Sequence, residues 1–315
     1  MSATHRFRFG VVCGAPDAAS WTALARRAEE LGYSIFLNSD HLDTSGAHVS
    51  LFAPLSALGA AAAVTTRLRI GTSVLNQDLR HPAVLAREAA TLDVLSDGRF
   101  ELGLGAGWAE YEYRWAGIHF DPASVRIARL AEYIAVVKAL LEQDVASFDG
   151  DFFNVTEMPG LPRPVQVPRP KLLLGGTFKR MLQLAAREGD IVSVMHTHPA
   201  AATAAAMDRR IEWIREAAGS RFDQIELNTI IGNILIAESG RDELLRRHLA
   251  QAPVELRVGL SEEEFADSPI ALIGSADGVC DQLVGWRERW GLSYVIITDT
   301  HMEQFAPVVE RLSGR

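Results

Sequence analysis

The run Asn38-Ser39-Asp40-His41 closes a short apolar stretch, Tyr33 to Leu37. Histidine is the side chain most easily tuned to exchange a proton near neutral pH. Asp40 beside it either orients and charge-tunes a neighbouring ring or caps a turn. A second polar cluster ends the next apolar run, Gly71 to Asn76, where Ser73 and Asn76 are short hydrogen-bonding groups. A third follows Phe100 to Leu104, where Gly103, Gly105 and Gly107 alternate ahead of Trp108. Alternate glycines remove side chains where a ligand or another backbone comes close. Trp108 can wall a planar ligand. Glu110, Glu112 and Arg114 lie beyond it in the spacing of a solvated helical turn, from which one carboxylate can reach the site.

Further along, Gly175, Gly176 and Thr177 end an apolar run and open a helix. Backbone N–H groups at such a point suit a phosphate. Lys179 and Arg180 sit in the first turn, where cations are electrostatically out of place. They face solvent or assist an anion. His196 and His198 stand two residues apart, but no third ligand has a recognisable metal spacing, so pocket lining or substrate contact is the expected role. Asn228 is a further inward polar candidate. Gly274-Ser275-Ala276-Asp277 reads as a capping turn. Cys13 and Cys280 form no metal or disulfide framework, and Cys13 reads as a small neutral filler.

These clusters share one placement: each lies at the carboxyl end of a buried strand that leads into a helix. The pattern predicts strands over Phe7 to Cys13, Tyr33 to Leu37, Leu68 to Leu75, Phe100 to Leu104, Lys171 to Leu174, Asp190 to Val194, within Ile225 to Ile236, and Tyr294 to Thr298. Helices intervene, including Phe52 to Val64, one opened by Pro82, and a long one from about Pro122 to Glu142. Eight strand–helix units predict a (β/α)8 TIM barrel, an α/β fold with its chemistry at the strands' carboxyl ends. The alternative, an open doubly wound sheet, lacks its early G-x-G-x-x-G turn here. Asp149 to Arg169, after the fourth helix, is an irregular insertion expected to pass over the barrel mouth. Gln251 to Ser268 is a second irregular segment, acidic and expected at the surface, after a short helix from Arg241 to His248. The 315 residues are read as one barrel domain.

A formal net charge of −9 excludes general binding to nucleic acid or anionic membrane, though a local cationic site remains compatible with it. The first charges interrupt any N-terminal apolar region, and Leu55 to Val64 is too short to span a bilayer. A cytoplasmic enzyme with a small-molecule substrate is expected.

The sequence resembles the bacterial-luciferase-like flavin and deazaflavin oxidoreductases over nearly its whole length. The similarity lies in ELGYSIFLNSDHL (Glu30 to Leu42), TTRLRIGTSVL (Thr65 to Leu75), HPAVLAREAATLDVLSDGRFELGLGAGW (His81 to Trp108), LLLGGT (Leu172 to Thr177) and IGSADGV (Ile273 to Val279). The TLDxLSxGRxxLGxGxGW run is highly specific; the others gain weight from order and spacing. Asp40-His41 and the chain length resemble the branch that uses coenzyme F420. The resemblance implies hydride transfer between F420 and a small organic substrate, with His41 as acid/base and Asp40 tuning it or contacting the ring. It implies a cis Ser73–Val74 bond against the ring, and Asn76, Gly107, Trp108 and Glu110 near the cofactor edge. It implies a phosphate loop at Gly175, Gly176 and Thr177, with Lys179 and Arg180 toward the acidic tail. No metal is implied. The alternatives are an FMN monooxygenase fed by a separate reductase and a non-catalytic cofactor-binding protein. Family likeness and the Ala-rich segment Ala57 to Ala63 imply a homodimer.

Overall fold

The computed structural model describes residues 5–43, 52–196, 202–238, 243, 265 and 268–315. The described strands, in chain order, are β1 (Arg8–Val12), β2 (Ile35–Asn38), β3 (Arg69–Thr72), β4 (Leu75–Asn76), β5 (Phe100–Gly105), β6 (Val145–Asp149), β7 (Asn154–Pro159), β8 (Lys171–Gly176), β9 (Ile191–Val194), β10 (Glu226–Ile231), β11 (Asn233–Ile236), β12 (Ala271–Gly274) and β13 (Leu292–Thr298). Strands such as β5 and β13 are buried almost end to end, as parallel strands covered on both faces must be. Eight parallel strands with helices around them give the α/β barrel class that the sequence pattern predicts.

The chain divides into two compact units. One holds Cys13–Arg26 and Ile35–Leu174. Its parallel strands run in the order β2, β3, β5, β8, with Ile35 opposite Arg69, Ile70 opposite Phe100 and Glu101 opposite Lys171. The other holds Met1–Val12, Arg27–Ser34 and Gly175–Arg315. There β1, β13, β10 and β9 follow in order, with Phe9 opposite Val295 and Leu227 opposite Val192.

Each unit ties the amino ends of its strands with an arginine–glutamate pair. Arg8 grips Glu226 at 2.6 and 2.8 Å and lies over the Tyr294 ring. Arg69 reaches Glu101 at 2.7 Å. Such pairs add little net stability because both charges lose water, but removing one partner is costly.

The run expected as one strand from Leu68 to Leu75 is broken into β3 and β4, with a cis Ser73–Val74 peptide between. The glycines of β5 explain what fits there. A Cβ on Gly103 would run into the Thr72 carbonyl oxygen, and one on Gly105 would lie 2.7 Å from Val74 Cγ2. The Thr72 hydroxyl accepts from Gly103 N and donates to Gly103 O, at 2.8 and 2.9 Å. The alternating glycines therefore admit another backbone.

Two expectations need correction. The insertion is not irregular throughout, and its far end reaches the strands' amino ends. It begins as an antiparallel β6–β7 hairpin, whose turn donates Asp151 N and Phe152 N to Glu132 on the helix Ala123–Glu142. It ends on buried Asp93, which accepts from Val165 N, Gln166 N and Gln166 Nε2. Gln166 also bonds Phe100 O and Arg69, at the strands' amino ends. The three donors to Asp93 satisfy a carboxylate that lies away from water. Second, Ile225 to Ile236 holds two strands, not one. β11 leaves the barrel to pair with the unforeseen β12, Asn233 opposite Ala271. They cover a small cluster with Ala202, Phe265 and Ile270. The segments expected from Arg241 to His248 and Gln251 to Ser268 fall almost entirely outside the described residues.

Candidate active site

The loop after β2 and the segment after β5 lie in the same unit, and two buried carboxylates hold them. Asp40 accepts from Asn76 N at 3.0 Å and from Arg80 at 2.6 and 3.1 Å. Burial works against the charge of Arg80, yet its bond to Asp40 and that carboxylate's charge raise it above its ordinary value. Asp40 thus fastens β2 to β4. Its side chain is spent on Arg80 and Asn76 rather than turned to the neighbouring ring.

Glu112 takes the place that the sequence assigned to Asp40. Its Oε1 lies 3.0 Å from His41 Nδ1 and accepts from Asp43 N at 3.1 Å. Glu112 is buried and is the one carboxylate of an otherwise largely exposed turn that reaches His41. The helix Glu110–Ala116 turns Glu112 and Tyr113 inward and leaves Glu110, Arg114 and Trp115 exposed. The signal was present: Ala109, Glu112 and Tyr113 recur at i, i+3 and i+4, the spacing of one helical face.

Trp108 meets the His41 ring edge-on, 5.7 Å between centroids, and is 69% exposed. It follows Gly107, whose φ is +73° and whose missing Cβ makes room for the Tyr113 hydroxyl. That hydroxyl donates to Asp78 at 2.7 Å and lies 3.0 Å from Asn76 Oδ1. Asn76 Oδ1 also accepts from Asp78 N. Burial, then the Asp78 bond, push the Tyr113 phenol up, so it stays a neutral donor. Arg129 bridges Asp78 and Asp121. Asn76 Oδ1 is thus engaged within the unit, and Gly107 leaves room for Tyr113. Ser73 and Val74 are half-buried, and Glu110 is exposed.

In the other unit, Gly175 faces Ser193 Cβ at 3.0 Å and Gly176 faces Met181 Cγ at 2.5 Å, measured from an added Cβ. Thr177 is buried. The helix Lys179–Glu188 starts without a side-chain cap and without an acidic residue in its first turn. That donor set fits an anion such as a phosphate. Lys179 places its ammonium over the Trp213 ring at 5.8 Å.

His196 is tied into the same unit. Arg210 can only donate, so His196 Nδ1, 3.3 Å away, accepts. The ring hydrogen is then on Nε2, directed at Thr229 Oγ1 at 2.8 Å. Both nitrogens are engaged, which leaves no lone pair for a metal. Burial lowers Arg210 to about 10. His198 lies outside the described residues. Asn228 is fully buried and donates to Tyr294 O, a tie between β10 and β13. Ser275 caps the helix Ala276–Trp290, accepting from Gly278 N. Cys13 is buried, in keeping with a filler. Among the described residues no helix is long and apolar enough to cross a membrane.

The profile of the luciferase-like monooxygenase family matches residues 2–294. An F420-dependent glucose-6-phosphate dehydrogenase of Beutenbergia cavernae is 37% identical over 178 residues, 55% of this chain and 51% of that protein. This chain thus spans about half the length of such curated relatives. Among solved structures, monooxygenase RslO1 from Streptomyces bottropensis has a TM-score of 0.74 at 24% identity, covering 97% of both chains. The F420-dependent tetrahydromethanopterin reductase from Methanopyrus kandleri has a TM-score of 0.76 at 18% identity, covering 98% of this chain and 99% of the other. At these identities the structures support the fold.

Proposed function

The chain belongs to the luciferase-like monooxygenase family, and on that premise we propose that it is an F420-dependent oxidoreductase, acting in the cytoplasm on a small organic substrate. The observation that carries the reading is His41 hydrogen-bonded to buried Glu112, in the same unit as the half-buried Ser73–Val74 peptide. Removing a hydride from an alcohol-type carbon also releases a proton, and a carboxylate-held imidazole is suited to receive it. Similarity to the F420-dependent dehydrogenase of Beutenbergia cavernae supports the choice of cofactor.

Bound F420 supplies a hydride donor or acceptor at its deazaflavin ring. Ser73, Val74 and Trp108 border the ring, and His41 holds or delivers the proton at Nε2. Asp40, with Arg80, keeps the Asn76 segment in place. Gly175, Gly176 and Thr177 receive phosphate through backbone N–H groups, and Lys179 and Arg180 face the acidic tail. The protein works as a homodimer, and a separate reductase supplies electrons when the reaction consumes reduced cofactor. Sedimentation as a single 34.4 kDa species would refute the dimer.

The test is equilibrium binding of F420 and FMN to the purified protein under identical conditions. F420 should bind more tightly, and neutralising Lys179 and Arg180 should weaken F420 more than a tail-less deazaflavin. Preference for FMN, with oxygen consumed when reduced FMN is supplied, would replace this reading by the monooxygenase one.

A further inference from the structure

We infer that Glu112 is a positioning residue that fixes His41 in the Nδ1–H form, so that Nε2 is the only ring atom able to take or give the reacting proton. The inference rests on the proposed role of His41 and adds how that role is set. The argument starts from a shared oxygen. Asp43 N–H donates to Glu112 Oε1 at 3.1 Å, so this oxygen is an acceptor. His41 Nδ1 lies 3.0 Å from the same oxygen. Two acceptors do not form a hydrogen bond, so Nδ1 carries the hydrogen. In the neutral ring Nε2 then holds the lone pair. Glu112 is only 4% exposed, so its carboxylate is held against the ring and away from water. The backbone bond from Asp43 holds the carboxylate itself still. Trp108 lies beside the ring on another side, edge-on.

No co-reactant beyond the proposed hydride partner is needed. The substrate C–H pair leaves as hydride to the cofactor, the O–H bond breaks, its electrons form the carbonyl, and the proton passes to His41 Nε2.

The direct test is nitrogen-15 NMR of the histidine rings in the protein without cofactor, with the signal assigned by His41→Asn. His41 should show the Nδ1–H tautomer when neutral. Glu112→Gln should keep it, because the amide oxygen still accepts both donors, and Glu112→Ala should move it toward Nε2–H. With F420 and substrate, Glu112→Ala should slow single-turnover hydride transfer about tenfold or more. Cofactor affinity should hold, and Glu112→Gln should restore part of the rate. A wild-type ring in the Nε2–H form, or one indifferent to Glu112→Ala, would overturn the inference. Should Glu112→Ala fail to fold, the wild-type spectrum decides alone. Because the spectrum needs no cofactor, failure of the F420 assignment shows separately, as absent F420 binding with the tautomer intact.

Discussion

His41 is the residue on which the proposed chemistry turns, so its loss should appear in rate before affinity. His41→Ala should lower single-turnover hydride transfer by about 10²–10⁴-fold, the usual contribution of a general acid–base group, with cofactor binding little changed. His41→Asn keeps some hydrogen bonding but cannot titrate, and should fall in the same range. Equal rates in wild type and both variants would take His41 out of the reaction. His196 does not inherit the role, since Arg210 and Thr229 occupy both its nitrogens. Asp40 and Glu112 show how far residue types alone could be read. A carboxylate near His41 was legible, but which one was not. Adjacent side chains diverge at a strand end, and Asp40 follows its own toward Arg80. Glu112 arrives from a helix 69 and more residues away, through contacts at separations of 69 and 71.

At the scale of elements, the barrel strands were legible because buried parallel strands leave plain apolar runs bounded by turns. Their ends were read less well. The cis Ser73–Val74 bond that the family resemblance implies is present, but the β11–β12 pair depends on a partner distant in sequence, Ala271. The insertion was misread for a similar reason: its anchor, Asp93, is on the helix Pro82–Leu95 and looks like an ordinary helical acid. Asp93 makes the insertion testable. Asp93→Ala removes three hydrogen bonds that hold Val165 and Gln166. The expected outcome is faster proteolytic cleavage within residues 160–170 under native conditions, with the barrel fragments remaining folded. Cleavage no faster than in wild type would mean that Arg69 and Phe100 suffice to hold the segment.

For the whole molecule, the buried phenols set an alkaline limit. Tyr113 and Tyr133 are both pushed above their ordinary value of 10.0, chiefly by burial, with the Asp78 bond next for Tyr113. Below that pH both folded and unfolded chains keep these protons. Above it the unfolded chain releases them and the folded chain does not, so stability falls as pH rises. Arg210 acts in the opposite sense, because burial lowers its folded value to about 10 and the fold gives up that proton first. The contribution of the phenols is therefore read as a difference. Between about pH 9 and about pH 11, the denaturant midpoint of wild type should fall more steeply than that of Tyr113→Phe/Tyr133→Phe. Parallel curves would show that these phenols ionise alike in both states.

Trp108 lies against His41 at the surface, so its emission carries information about the ring next to it. A protonated imidazole in edge contact quenches indole fluorescence far better than a neutral one. The protein has six tryptophans, and subtracting a Trp108→Phe spectrum isolates this signal. The pair is then a built-in optical probe, through which the gain and loss of a single proton could be watched in stopped flow, without a label.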